Sequence, residues 1–213
     1  MGSKLYQNVS AALFALTMIF VQPAAAETLK LVVLGDSLSA GYQLPPDQAF
    51  PVQLQKALEA NGHDVEVVNA AVSGDTSSGG LSRLDWSVGE DADAVILELG
   101  ANDALRGLPP EKTRENINAI VARLTERGVE VLVAGMLAPR NLGDEYALKF
   151  DLIFAEVAKA HGALLYPFFL EGVAMKQELN LPDGLHPTGE GVSVIVRNVL
   201  PAVEELLARA GSS

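Results

Sequence analysis

With 213 residues, 15 Lys plus Arg and 27 Asp plus Glu, the chain carries a formal net charge of −12. That length supports one domain with a full core, and the acidic balance lacks the basic face that a nucleic-acid partner calls for. Cysteine is absent, which excludes thiol nucleophiles, iron–sulfur clusters, cysteine zinc sites and lipoprotein anchoring through a cysteine, and leaves an exported fold to be held by its core alone.

The first 26 residues differ from the remainder. Lys4 is their only charge, and the apolar run from Ala11 to Val21 is broken only by Thr17 before Pro23 and Ala24-Ala25-Ala26. The run is shorter than the ~20 residues that span a bilayer. Positive start, apolar middle and small-x-small end form the pattern of a secretory signal peptide. Cleavage is expected after Ala26, making 27–213 the mature domain and placing it in a periplasm or outside the cell.

Beyond that segment, short apolar runs alternate with helical patterns. In chain order the sequence predicts strands at Leu29–Leu34, Val65–Asn69, Ala94–Leu99, Val129–Leu137 and Ala163–Tyr166. Runs such as "AVILEL" and "VEVLVAGML" are rich in β-branched residues, as strands buried on both faces tend to be. Helices are predicted at about Phe50–Asn61, Ser77–Val88, Glu111–Arg127, Asp144–His161 and Gly189–Ala210. Asn61-Gly62 and Gly128 supply C-terminal stop signals, and Pro201 predicts a kink or a division of the last helix. Strands alternating with helices imply an α/β fold: one three-layer α/β/α domain whose five-stranded parallel sheet is covered on both faces. The flavodoxin-like strand order 2-1-3-4-5 places β1 between β2 and β3 and gathers function at the carboxyl ends of the strands.

Those ends carry the informative residues. The first strand empties into Gly35-Asp36-Ser37, the second into "AAVSGDTSSGG" with Gly74, and the third into Gly100-Ala101-Asn102-Asp103, while "LPDGLHPTGEG" before the last helix holds Asp183 and His186. Ester cleavage by a serine needs a nucleophile, a base and oxyanion donors. Ser37 is the candidate nucleophile, although a lone serine at a strand exit is more often a helix cap. Among three histidines, His63 in "NGHDV" and His161 in "AKAHGA" are explained as surface residues, the latter by its place at a helix C-terminus. His186 lies in a Gly- and Pro-rich loop three residues after Asp183, a spacing that lets the carboxylate hold one ring nitrogen while the other faces Ser37. A metal site is poorly supported because no second histidine lies nearby. The N–H groups of Ser37 and Gly74 and the side-chain amide of Asn102 are candidate oxyanion donors, each of which could instead be an ordinary turn or cap. Asp36, Asp75 and Asp103 are read as loop hydrogen-bonders, and Glu98, odd in a buried run, as tied to nearby backbone.

Taken in order, "GDSLS", "SGDTS", "GAND" and "DGLHP" resemble the four sequence blocks of the SGNH (GDSL-type) hydrolases, over nearly the whole chain beyond Leu31. "VVNAAVSGDTSSGGLSRL", "ELGANDALRGLPPEKT" and "LYPFFLEGV" are similar to the periplasmic thioesterase–lysophospholipase–arylesterase branch of that family. The resemblance implies a triad of Ser37, Asp183 and His186, with Ser37, Gly74 and Asn102 forming the oxyanion hole. The α/β-hydrolase elbow G-x-S-x-G fits less well, because Ser39 stands where its second glycine would be.

The expected reaction is acyl transfer through an acyl-enzyme, with no metal or organic cofactor, on a small ester, thioester or lysolipid. Neither nucleic acid nor stable membrane insertion is expected. Leu105, Leu108 and Pro109 after the third strand, and Met136, Leu137 and Tyr146 after the fourth, are expected to wall an acyl groove. Rival readings are a carbohydrate acetyl-esterase of the same fold and a non-catalytic ligand-binding α/β module. The latter is opposed by the absence of G-x-G-x-x-G and of a P-loop lysine.

Overall fold

A computed structural model describes residues 28–212; the expected leader and its cleavage point lie outside them. Strands β1 (Leu29–Gly35), β2 (Val65–Asn69), β3 (Ala94–Glu98), β4 (Glu130–Ala134) and β5 (Leu164–Tyr166) form one parallel sheet ordered β2-β1-β3-β4-β5. All of β3 and all but the first two residues of β1 are buried. Both strands are flanked by other strands and covered by helices, so their sequences run apolar without alternation.

The helices are α1 (Ser37–Ala40), α2 (Phe50–Ala60), α3 (Ser77–Ser82), α4 (Leu84–Ser87), α5 (Ala101–Leu105), α6 (Pro110–Glu126), α7 (Asp144–Asp151), α8 (Ile153–His161) and α9 (Gly189–Ala210). In one layer α2 packs on α9, and in the other α6 packs between α3 and α8. Phe50, Phe150 and Phe169 are among the largest side chains sealed in the core.

Three differences from the sequence expectation bear on the site. First, β4 ends at Ala134 rather than Leu137. A side chain at Gly135 would sit 2.3 Å from the Pro167 carbonyl, and beyond this close crossing Met136 and Leu137 leave the ladder for the rim of the sheet. Second, the segments expected as single helices over 77–88 and 144–161 are each divided, at Arg83 and Leu152. Both dividing neighbourhoods put side chains to other use: Arg83 reaches the strand exits, and Asp151 accepts the Ala138 N–H at 2.9 Å and pairs with Arg140 at 2.8 Å. Third, α9 runs as one helix through Pro201. The proline lies on the exposed side, so the carbonyl deprived of its i+4 donor is on the face open to water rather than in the core.

Ile96, in the middle of β3, is fully buried. Ile96→Ala is expected to cost about 2–5 kcal/mol of stability, the usual range for emptying such a site, read as a lower urea midpoint with an unchanged slope.

Candidate active site

Because β1 lies between β2 and β3, three loops leave the sheet side by side. The turn after β1 is shaped by Gly35, where a Cβ would come within 2.1 Å of Ser39 Oγ and 2.8 Å of Glu98 Oε2. Only glycine lets the chain pass that closely. Asp36 then caps α1, its Oδ1 accepting the Leu38 N–H at 3.0 Å. The cap is therefore the aspartate, and Ser37 is the first helical residue with its hydroxyl left for other partners.

The candidate base, His186, arrives from the far end of the chain. Leu181 N donates to the His186 carbonyl at 2.7 Å and Thr188 N to the Leu179 carbonyl at 2.9 Å, closing a tight loop. The Asn180 side chain anchors that loop to the Val173 and Lys176 carbonyls. Inside it, Asp183 Oδ1 accepts the N–H groups of Leu185 (2.9 Å) and His186 (3.0 Å), and Oδ2 lies 2.7 Å from His186 Nδ1. These bonds, led by the Leu185 N–H, hold the carboxyl down at about 2, so it is ionised and can only accept. Nδ1 must then carry a proton and donate it to Asp183, which turns Nε2 towards Ser37 Oγ at 2.9 Å. The Tyr42 ring packs against the imidazole, centroids 4.4 Å apart. This neighbour went unnoticed in the sequence although it lies only five residues after Ser37.

The other two exits flank the serine. Val72 N donates to the Gly35 carbonyl at 3.0 Å, tying the β2 loop to the β1 turn. Two residues on, Gly74 has φ +86, a left-handed conformation that favours glycine, and its carbonyl accepts from Arg106 at 2.7 Å. Arg83 binds this corner from below, donating to the Gly35 and Ala70 carbonyls, to Ser87 and, at 2.6 Å, to Asp75. Asn102 is not a helix cap, a place taken by Gly100. Instead its Nδ2 donates to Asp36 Oδ2 at 3.0 Å. Asp103 is buried and accepts from Ser77 and Thr113, locking α5 to α3 and α6.

At the turn that carries Ser37 lie two buried carboxyls. Glu98, paired opposite Gly35 in the ladder, accepts the Ser39 hydroxyl at 2.8 Å and the Asp36 N–H at 3.3 Å through Oε2. Its Oε1 has no hydrogen-bond partner among the described residues. Burial, reinforced by the Asp36 charge, pushes Glu98 well above the usual carboxylate range. Burial likewise raises Asp36 to about 6, against the restraining bonds from Leu38 and Asn102.

Beside Ser37 and His186 opens an apolar cavity of ≈ 370 Å³. Leu105, Met136 and Leu137 line it as expected, joined by Leu38, Ala104, Phe168 and Met175. Leu108, Pro109 and Tyr146 are not among its lining residues. The Tyr146 hydroxyl donates to the Leu108 carbonyl at 2.8 Å and its ring stacks on Phe150, so these side chains secure the loop behind the wall. His63 pairs with Glu204 and His161 with Asn118, and none of the four lines the cavity. Among the described residues no group of three metal-ligating side chains converges.

A hydroxyl hydrogen-bonded to an imidazole nitrogen, with the ring held by a carboxylate beside an apolar hollow, is chemically equipped for acyl transfer. Comparison with known proteins leads to the same class. The model of the GDSL-like lipase/acylhydrolase family matches residues 33–194. The chain is 40% identical to esterase TesA of Pseudomonas aeruginosa over 191 residues, 89% of this chain and 94% of that protein. It is 41% identical to an arylesterase of Vibrio mimicus, covering 84% and 90% of the two chains. With thioesterase 1/protease 1/lysophospholipase L1 of Escherichia coli K12 it shares 37% identity over 81% of each. A crystal structure of TesA superposes with a TM-score of 0.79 at 39% identity, over 83% of this chain and 99% of that one. The fold and its relatives define an ester hydrolase. Within that class the chain belongs to the GDSL-like lipase/acylhydrolase family.

Glu98 supplies a test of the buried electrostatics. Its folded pKa is raised, so its contribution to stability is complete below the unfolded value and is lost as pH climbs through the folded one. Thermal melts from pH 5 to pH 9 should fall for the wild type and fall less for Glu98→Gln, which keeps the shape without the ionisation. Parallel declines would contradict the buried acid's part in this loss.

Proposed function

We propose that the chain is an exported serine esterase that cleaves carboxylic esters and thioesters bearing apolar acyl groups. The observation that carries this reading is the 2.9 Å approach of His186 Nε2 to Ser37 Oγ at the edge of an apolar cavity. Ser37 attacks the carbonyl carbon as its proton passes to His186, and Asp183 fixes the ring and stabilises its charged form. The oxyanion develops towards the N–H groups of Ser37 and Gly74 and the Asn102 amide. The leaving alkoxide, phenoxide or thiolate takes the proton from His186. Water, activated by the same base, then cleaves the acyl-enzyme and frees Ser37.

The apolar cavity suits the acyl half of the substrate, while the leaving group contributes little to what it holds. That division supports a range of aryl esters, acyl thioesters and lysophospholipids, in keeping with the names of the relatives. It disfavours an acetylated sugar, which would need hydrogen-bonding walls. The leader pattern of residues 1–26 supports export, with 27–213 as the mature domain. Among the described residues no helix is long and apolar enough to cross a membrane.

Hydrolysis of p-nitrophenyl esters from acetate to palmitate tests the reading. Turnover should vanish in Ser37→Ala and favour acyl chains longer than acetyl in the wild type. Flat rates across chain length, with good acetyl-xylan activity, would refute the apolar preference. Asn102→Ala should lower kcat by about 10²–10³, the usual loss for one oxyanion donor; a loss below about fivefold would remove Asn102 from the hole.

A further inference from the structure

We propose that Asp36 is the positioning residue of the oxyanion hole: its buried carboxylate sets the rotation of the Asn102 amide and so aims one Nδ2 hydrogen into the site. The inference rests on the assignment of Asn102 as a donor. It adds the group that makes that side chain a donor rather than an acceptor.

A primary amide has two nearly isosteric ends, and a half-turn about its last bond exchanges NH₂ for C=O. With the oxygen forward, Asn102 would repel the developing oxyanion. An ionised carboxylate accepts and never donates, so the 3.0 Å contact between Asp36 Oδ2 and Asn102 Nδ2 admits only the NH₂ end. One hydrogen is spent on Asp36 and the other is left for the substrate. The carboxylate cannot swing away, because Oδ1 is held by the Leu38 N–H at 3.0 Å and the residue is fully buried. Its backbone is pinned from beneath, where the Asp36 N–H and the Ser39 hydroxyl share Glu98 Oε2.

Capping α1 does not account for an acid at this position. Serine or asparagine caps as well as aspartate, and neither would bury a charge against Glu98. Acceptor-only character is what the neutral caps lack. The titratable and charged groups around Asp36 are Glu98 from β3, Asp75 from the loop after β2 and His186 from the loop before α9, with Arg83 on the adjoining Gly35 carbonyl. Asp75 opposes its charge and protonated His186 favours it, while the Asp36 charge in turn pushes Glu98 up and keeps that acid protonated. Below the raised value of about 6, Asp36 carries a proton that can be donated to the oxygen of a turned amide, and the preference for NH₂ is lost.

The test is a double-mutant cycle on the mature enzyme with p-nitrophenyl butyrate. Asp36→Asn keeps the cap but can offer either end to Asn102. It should lower kcat about tenfold or more while KM changes by less than about twofold, as for an interaction made only in the transition state. Added to Asn102→Ala, it should cost less than about a further twofold, because its route to the reaction is already gone. The acid limb of kcat, to which the raised Asp36 carboxyl contributes in the wild type, should become shallower in Asp36→Asn. Asp36→Ser, a cap too short to reach the amide, should lower kcat at least as much as Asp36→Asn, no more than Asn102→Ala, and again add less than about twofold to Asn102→Ala; it provides the same reading if the asparagine variant folds poorly by thermal melt. Losses that multiply in the double mutant, or an Asp36→Asn enzyme with unchanged kcat, would overturn the inference while leaving Asn102 a donor. A silent Asn102→Ala would instead remove the reading on which the inference rests.

Discussion

The site depends first on the two-sided pairing of β1. Leu31, Val32 and Val33 are hydrogen-bonded into both ladders, with β2 on one side and β3 on the other. The residues that follow these three strands must therefore leave the sheet at neighbouring points. Ser37, Gly74 and Asn102 are far apart in sequence, yet no special folding of their loops is needed to put them on one rim. Sealing β1 and β3 in apolar contacts fixes that rim, and each loop then needs only short local bonds.

Those local bonds are polar and lie at the boundary of a dry core, where an unpaired group is costly and a paired one is held hard. Arg83 joins the β1 turn to the β2 loop, Arg106 joins the β2 loop to the end of α5, and Asn102 joins α5 back to Asp36. The three links close a ring around the serine. Glu98 is the exception within this arrangement, since one of its oxygens lacks a partner. Burying an acid there lowers stability towards alkaline pH, a cost set against holding the turn that carries Ser37.

How much of this was legible in the sequence follows from the range of each interaction. The strands were readable because burial on both faces leaves uninterrupted runs, and five strands with intervening helices admit few topologies. Ser37, Gly74, Asn102, Asp183 and His186 stood out because they occupy strand exits or a loop rich in turn residues, where chemistry needs particular side chains. The breaks at Arg83 and Leu152 were invisible, since helical periodicity continues across both and the competing bonds come from elsewhere in the fold. The cavity wall was half legible. Leu105 and Met136 look no different in sequence from Leu108 and Tyr146; which of them faces the hollow depends on a hydroxyl reaching the Leu108 carbonyl and a ring stacking on Phe150. Phe168 and Met175 were missed because the stretch after β5 has no periodicity to orient its apolar residues.

The loop carrying Asp183 and His186 closes on itself, so the carboxylate and the imidazole travel together as a cassette. Their spacing, the ring's tautomer and the carboxylate's ionisation are all set within four residues, without help from the sheet. Tertiary packing has to deliver one quantity alone, the gap from Nε2 to Ser37. A breathing motion of the loop would therefore change the gap from imidazole to hydroxyl while leaving the Asp183–His186 pair itself assembled, much as a hinged tool changes its reach without changing its edge.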